Sequence, residues 1–176
     1  MLAFAALSFA LIIVPGPSVM FVISRAVAHG RRAALLTVLG NAIGIAAQVT
    51  FVAAGLGVVV EQSVLAFTVI KLVGAGYLVW LGIQAIRHRA SRATTALDAV
   101  HGLRPRRSQV VDGFIVGVAN PKSIVFFAAI LPQYVSPSGA YPGLQMLVLG
   151  AVFVVVALVS DSVWGLAAGT ARQWFV

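Results

Sequence analysis

The 176-residue chain is 61% hydrophobic and only 9% charged, with a mean hydropathy of +1.04. Since soluble domains carry about 25% charged residues, this composition excludes an ordinary soluble domain and favours an all-α integral membrane protein. The net charge of +8 does not indicate a nucleic-acid partner, because the basic residues lie between apolar runs, and the absence of cysteine excludes disulfides and thiolate metal sites.

Five apolar segments are each long enough to cross a bilayer, which takes about 20 helical residues. They cover residues 2–28, 33–60, 64–86, 113–135 and 143–165. The first positive charge, Arg25, follows the first apolar run instead of preceding it, so we expect a retained span and not a cleaved signal peptide. The chain divides into a first membrane repeat (1–86), a basic loop (87–112) and a second membrane repeat (113–176).

Pro15, Gly16 and Pro17 interrupt the first segment. A proline inside a helix removes one backbone hydrogen bond and clashes with another carbonyl, at a cost of about 3 kcal/mol. In hydrocarbon the freed carbonyls cannot turn to water, so such a break is tolerated only against other helices or a hydrated cavity. We therefore favour functional, unwound backbone beside a polar cavity over a purely structural kink.

Asn41 and Gln48 lie seven residues apart on one face of the second segment, beside Gly40 and Gly44. Glycines four residues apart are typical of close helix packing in membranes. The same spacing recurs in later segments, at Gly113 and Gly117 and at Gly165 and Gly169. Packing is the favoured interpretation of this stretch, and a ligand contact by Asn41 is the alternative.

Ten of the twelve basic residues share one face if the five segments alternate. They include Arg31 and Arg32 after the first segment and six arginines between residues 87 and 107. By the positive-inside rule this face is cytoplasmic, which places the N-terminus outside and the 87–112 loop inside the cell. We interpret the loop as a topology signal in preference to a site for anionic lipids or a partner.

Asn120, Pro121 and Lys122 interrupt the fourth segment. Lys122 lies nine residues after the start of this segment, about 14 Å deep at 1.5 Å per residue, near the bilayer midplane. A lysine there costs at least about 2.5 to 3.5 kcal/mol, so it should face the bundle interior and bind a carbonyl, a carboxylate or an anionic ligand. A role in handling a substrate or protons is favoured over structural pairing.

Asp161 is the only carboxylate within the five segments. It lies near the cytoplasmic end of the fifth segment, so titration in a proton path and local pairing with Arg172 fit the sequence equally well. The chain has no Walker loop, no His/Cys cluster and no paired carboxylates. We therefore expect neither an enzyme nor a bound cofactor or metal.

A weak internal repeat is visible when Pro15 is laid on Pro121, since Phe21 then meets Phe127. Each broken segment would open a three-span half, and an odd number of spans makes the two halves inverted. Inverted repeats with interrupted helices recur in secondary transporters. The second half shows only two spans, so the chain is expected to be one helix short.

Four motifs occur in a fixed order along the chain. They are Pro15-Gly16-Pro17, then His29-Gly30-Arg31-Arg32 with Gly40 and Gly44, then Lys71 to Gln84 with Gly74, Tyr77, Leu78 and Gly82, and finally Asn120-Pro121-Lys122 leading through Phe126 and Phe127 to Leu131-Pro132-Gln133. In this order and spacing the chain resembles the LysE/RhtB family of amino-acid exporters over nearly its whole length.

The resemblance implies a six-span protein of the bacterial inner membrane that exports amino acids or small derivatives, such as homoserine, its lactone or threonine, by proton antiport. It also implies a function for Asp161, which matches an aspartate common in the family's fifth span. The substrate-site residues are then expected to be Pro15, Gly16, Pro17, Asn41, Asn120, Pro121 and Lys122, with Asp161 as the proton carrier.

The expected partners are the amino-acid substrate, protons and membrane lipids, and association into a homo-oligomer stays open. The missing sixth span keeps a truncated, non-transporting membrane protein as an alternative. Metal-ion efflux on the same fold is a second alternative, although one intramembrane carboxylate without thiols makes a poor cation site.

Overall fold

The computed structural model describes residues 1–62, 68–69, 72, 106–136 and 141–175. The regular elements in these residues are helical: α1 (Leu2–Ile13), α2 (Pro17–His29), α3 (Arg31–Gln62), α4 (Arg106–Val118), α5 (Pro121–Ala129), a 3₁₀ helix (Leu131–Tyr134) and α6 (Pro142–Phe175). Most of the third apolar segment (64–86), all of the Lys71 to Gln84 motif except Leu72, and most of the 87–112 loop lie outside the described residues.

Four of the five apolar segments coincide with these helices. α3 and α6 are each long and apolar enough to cross a membrane. α1 with α2, and α4 with α5 and the 3₁₀ helix, form two further apolar pairs that bend by 54° and 44° at their breaks. The described residues thus form two continuous candidate spans and two broken ones, in keeping with an all-α membrane protein.

α3 and α4 pack closely through facing glycines. Gly40 and Gly44 lie against the main chain of α4, while Gly113 and Gly117 lie against the main chain of α3. A Cβ atom at any of the four positions would overlap main-chain atoms of the other helix. The close packing predicted from the four-residue spacing is therefore confirmed, and it brings Asn41 beside the second helix break.

The interior has an aromatic part and a small-residue part. Phe126 and Phe127 pack on Phe153 with ring centroids 5.0 and 4.8 Å apart, and Phe4 lies 5.7 Å from Phe126. A second cluster between α2 and α3 contains Val22, Ala26, Ala34 and Val38. Large apolar side chains such as Phe51, which is 79% exposed, face outwards, as lipid-facing residues do.

Two side-chain contacts at the basic end of the bundle connect α2 with α4 and α3 with α6. Arg25 donates to Asp112 of α4 over 2.9 Å, and Arg31 donates to Thr170 of α6 over 3.0 Å. Gly30, whose φ of 83° lies in the left-handed region, turns the chain from α2 into α3 within one residue. Arg25 and Arg31 therefore lie at the same end of the bundle, in keeping with a shared basic face.

Candidate functional site

The two helix breaks, which the sequence places 106 residues apart, lie against each other in the bundle. Asn120 Nδ2 at the second break donates to Ser18 Oγ at the first break over 3.2 Å. Lys122 Nζ donates to the main-chain oxygens of Leu11 and Val14, over 2.5 and 2.7 Å. The residues predicted from two separate proline motifs thus form one polar junction.

The contact of Lys122 with α1 follows from the position of Pro15. In a continuous helix the Leu11 carbonyl would accept from the residue four positions later, but Pro15 has no N–H. Val14 has an extended backbone, with φ −72° and ψ 114°, and ends α1. The Lys122 ammonium therefore binds carbonyls at the negative end of the α1 dipole, which is one of the three kinds of partner predicted for it.

Gly16 and Pro17 shape the first break around that lysine. A Cβ atom at Gly16 would lie 3.3 Å from Lys122 Cδ, so the glycine leaves room for the lysine stem to reach α1. Pro17 occupies the first turn of α2, where its missing N–H and fixed φ are tolerated. When α2 and α5 are aligned at their first residues, Pro121 corresponds to Pro17. The sequence comparison had paired Pro121 with Pro15, two residues earlier.

Asn120 and Pro121 start α5 at the second break. Asn120 is the N-cap, and its Oδ1 accepts from the Lys122 main-chain N–H over 3.1 Å. Pro121 fills the first position of the helix. Because the Lys122 N–H is taken by the cap, the carbonyl of Val118, four residues earlier, needs another donor.

Gln48 of α3 supplies that donor. Its Nε2 donates to the Val118 carbonyl over 2.7 Å, and its Oε1 accepts from Ser123 Oγ over 2.7 Å. From α3, the Gln48 amide therefore supplies the hydrogen bond that the Val118 carbonyl lacks at the break between α4 and α5. The sequence interpretation assigned Gln48 to packing, although its position on the Asn41 face was a signal that it points to the same interior.

Asn41 joins α3 to α6 through Asp161. Asn41 Nδ2 donates to Asp161 Oδ2 over 2.8 Å, and the two residues are only 2% and 3% exposed. α6 continues to Phe175, so Asp161 lies inside the helix and not near its end as the apolar segment suggested. The pairing of Asp161 with Arg172 that the sequence allowed stays untested, because the side chain of Arg172 lies outside the described residues.

A small cavity connects the junction with Asp161. Lys122, Asn120, Ser18, Ser123 and Asp161 line it, and its apolar wall includes Ile45 and Phe153. The cavity has space of about 30 Å³, enough for about two water molecules and far below the roughly 300 Å³ of small-molecule pockets. In this conformation the cavity between the lysine and the carboxylate is therefore too small for an amino acid.

The structure gathers the sequence-predicted residues into one region. Six lie at the junction of the breaks: Pro15, Gly16, Pro17, Asn120, Pro121 and Lys122. Asn41 and Asp161 form a second layer that reaches the cavity through the carboxylate. Sequence reasoning missed the contacts of Ser18, Gln48 and Ser123 and the carbonyls of Leu11 and Val14, although the two serines directly follow the proline motifs.

Comparison with known proteins gives a consistent result. The LysE type translocator family matches residues 9–176. An uncharacterised membrane protein of Vibrio cholerae is 40% identical over 90% of this chain and 76% of the relative. A homoserine/homoserine lactone efflux protein of Salmonella typhimurium is 37% identical over 82% of this chain and 68% of the relative. A threonine efflux protein of Salmonella typhi is 29% identical over 69% and 59%.

No solved structure matches the chain. The family match covers almost all of the sequence. The Vibrio cholerae and Salmonella typhimurium relatives are 40% and 37% identical to this chain over most of the length of both proteins. The resemblance inferred from the four motifs is confirmed. The chain belongs to the LysE type translocator family, whose members are membrane transporters and not enzymes.

Proposed function

We propose that the protein exports amino acids or small derivatives, such as homoserine, homoserine lactone or threonine, across the bacterial inner membrane in exchange for protons. The observation that carries this proposal is the small cavity at the meeting point of the two broken spans, where Lys122 and Asp161 face the same volume. The relatives named for homoserine and threonine efflux support the substrate class.

A zwitterion suits a cavity with one positive and one negative side chain. Asp161 accepts hydrogen bonds from an ammonium group, and the buried Oδ1 of Asn41, which has no hydrogen-bond partner within the described residues, is a second acceptor beside it. Lys122 and the N-terminus of α5 attract a carboxylate. The apolar wall at Ile45 and Phe153 fits an uncharged substrate side chain.

Proton exchange follows from the carboxylate at this site. Asp161 binds an ammonium group only while it is ionised, so a proton and the substrate compete for it. Proton binding from outside then releases the substrate, and proton loss to the cytoplasm readies the site for the next one. This scheme makes Asp161 the proton carrier of the antiport.

An amino acid needs more space than this cavity offers, so the helices have to move to admit it. We assign this motion to rocking of residues 1–86 against residues 113–176, as in transporters built from inverted repeats. The start of α2 at Pro17 and of α5 at Pro121 supports equivalent breaks in the two halves. The basic 87–112 loop lies on the cytoplasmic side in this scheme and the N-terminus outside, as the positive-inside rule predicts.

Export assays test the proposal. Cells loaded with threonine, homoserine or lysine should release at least one of them faster with the wild type than without it, and Asp161→Asn should reduce that rate by about tenfold or more. Ser162→Ala is the matched control, because Ser162 lies next to Asp161 but binds its own helix at Leu158. Its rate should stay within about twofold of the wild type at equal membrane abundance.

The alternatives have separate outcomes. A wild type that reaches the membrane but exports none of the three amino acids would favour a non-transporting protein. Metal efflux predicts sensitivity of a deletion strain to divalent cations, and within the described residues no three His, Asp or Glu side chains come together as ligands. Wild-type export by Asp161→Asn would contradict the assigned proton carrier.

A further inference from the structure

The end of α1 presents two main-chain carbonyls to a single ammonium group. Lys122 Nζ donates to the oxygens of Leu11 and Val14, over 2.5 and 2.7 Å. We propose that these two carbonyls form a binding site for a primary ammonium group, and that Lys122 is an internal occupant which a substrate ammonium replaces.

The chemistry of the site is general for ammonium and not particular to lysine. A primary ammonium has three N–H donors, and the two carbonyls engage two of them. Pro15 leaves Leu11 without its helical donor, and the α1 C-terminus adds the negative end of the helix dipole. The ammonium of any amino acid presents the same charge and donors.

The position of the two carbonyls allows a substrate ammonium to replace that of Lys122. Leu11, Gly16 and Lys122 line the same cavity as Asp161, so an ammonium that enters this cavity meets both the carboxylate and the α1 carbonyls. The lysine ammonium sits on a flexible four-carbon stem, which Gly16 leaves unobstructed. Once displaced, Lys122 is free to pair with the substrate carboxylate.

That a substrate ammonium replaces Lys122 rests on the proposed function. Binding of an ammonium group to the two carbonyls is tested on purified protein, without transport. Lys122→Ala removes four non-hydrogen atoms, which n-propylammonium replaces. We expect n-propylammonium to raise the melting temperature of the purified Lys122→Ala protein by about 3 to 6 °C at a tenfold excess over its Kd. n-Propanol and tetramethylammonium, at matched ionic strength, should give no such rise.

Two protein controls accompany this measurement. The wild type should show a much smaller rise at the same concentration, because its own lysine competes with n-propylammonium for the two carbonyls. Ile124→Ala removes an exposed apolar side chain from the same helix, keeps Lys122 and should respond no more than the wild type. An equal response of these controls, or an equal effect of n-propanol on Lys122→Ala, would overturn the inference.

Lys122→Met provides a second route if Lys122→Ala does not fold. Methionine keeps an unbranched stem of the same number of atoms, with sulfur in place of Cδ, and lacks the terminal nitrogen, so NH₄⁺ should stabilise this variant and tetramethylammonium should not. If the wild type exports amino acids but neither folded variant binds ammonium, this inference alone is overturned. Ammonium binding in a protein that exports no amino acid would support the site and overturn the proposed function.

Discussion

Asn41 Nδ2 lies 2.8 Å from Asp161 Oδ2, and this hydrogen bond holds the buried carboxylate between α3 and α6. Both residues are almost fully buried, at 2% and 3% exposure. A buried carboxylate is stable only with donors or opposite charge around it. The asparagine therefore supports Asp161 directly, whatever substrate the cavity takes.

Asn41→Leu should destabilise the protein, because it removes the donor and leaves the carboxylate in place. We expect a loss of about 1.5 to 3 kcal/mol, the range for hydrogen bonds to charged groups. Thr50→Val is the matched control on α3, since the exposed Thr50 hydroxyl binds only Ala46 of its own helix. Thermal unfolding in detergent measures both, and equal melting temperatures for the two variants would refute the assigned support.

Gly117→Ala should loosen the contact of α3 with α4. Its Cβ would overlap the main chain of Asn41, which cannot move away like a flexible side chain. Overpacking of this kind costs about 1 to 3 kcal/mol. Gly55→Ala, on α3 with no described atom within 4 Å of the added carbon, should be neutral or stabilising. A Gly117→Ala protein as stable as Gly55→Ala would show that the helices have room to separate.

The Arg25 and Asp112 ion pair should stabilise the contact of α2 with α4. The two side chains are 10% and 17% exposed, and Arg25 also lies over the Phe21 ring at 4.8 Å. We expect Arg25→Gln to cost about 1 to 3 kcal/mol, between the values for exposed and buried pairs. Arg32→Gln, at an exposed position nearby, should change stability by less than about 0.5 kcal/mol.

A charge exchange separates the ion pair from general packing. The double variant Arg25→Asp with Asp112→Arg should recover part of the melting temperature lost in either single variant. Additive losses in the double variant would mean that the two charges do not interact in the folded protein.

Gln48 and Ser123 should be energetically coupled across the second break. Gln48→Leu leaves the Val118 carbonyl without its donor and Ser123 Oγ without its Gln48 acceptor, at a cost of about 1 to 3 kcal/mol. In a double-mutant cycle with Ser123→Ala, the interaction energy should be about 0.5 kcal/mol or more. Independent effects of the two substitutions would place Gln48 in ordinary packing, as the glycine-rich sequence around it suggested.

The helical membrane architecture could be predicted from sequence because apolar length and proline position act locally. A run of about 20 apolar residues forms a helix to satisfy its own backbone. Pro15 cannot continue the helix before it, and Pro17 and Pro121 fit the first turn of a new one. The glycine spacing at Gly40 and Gly113 likewise predicted close packing, since small residues permit it. The order of the four motifs was enough to indicate the family.

Only the tertiary structure decided which partners the buried polar groups take. The sequence indicated that Lys122 needs a carbonyl, a carboxylate or a ligand, but the choice of Leu11 and Val14 depends on how the two broken helices meet. For Asp161 the sequence was equally compatible with a proton path and with an interfacial pair, and the structure added Asn41 as a buried hydrogen-bond donor to it at a position inside α6. Hydrogen-bond partners distant in sequence are set by helix packing, which local patterns do not encode.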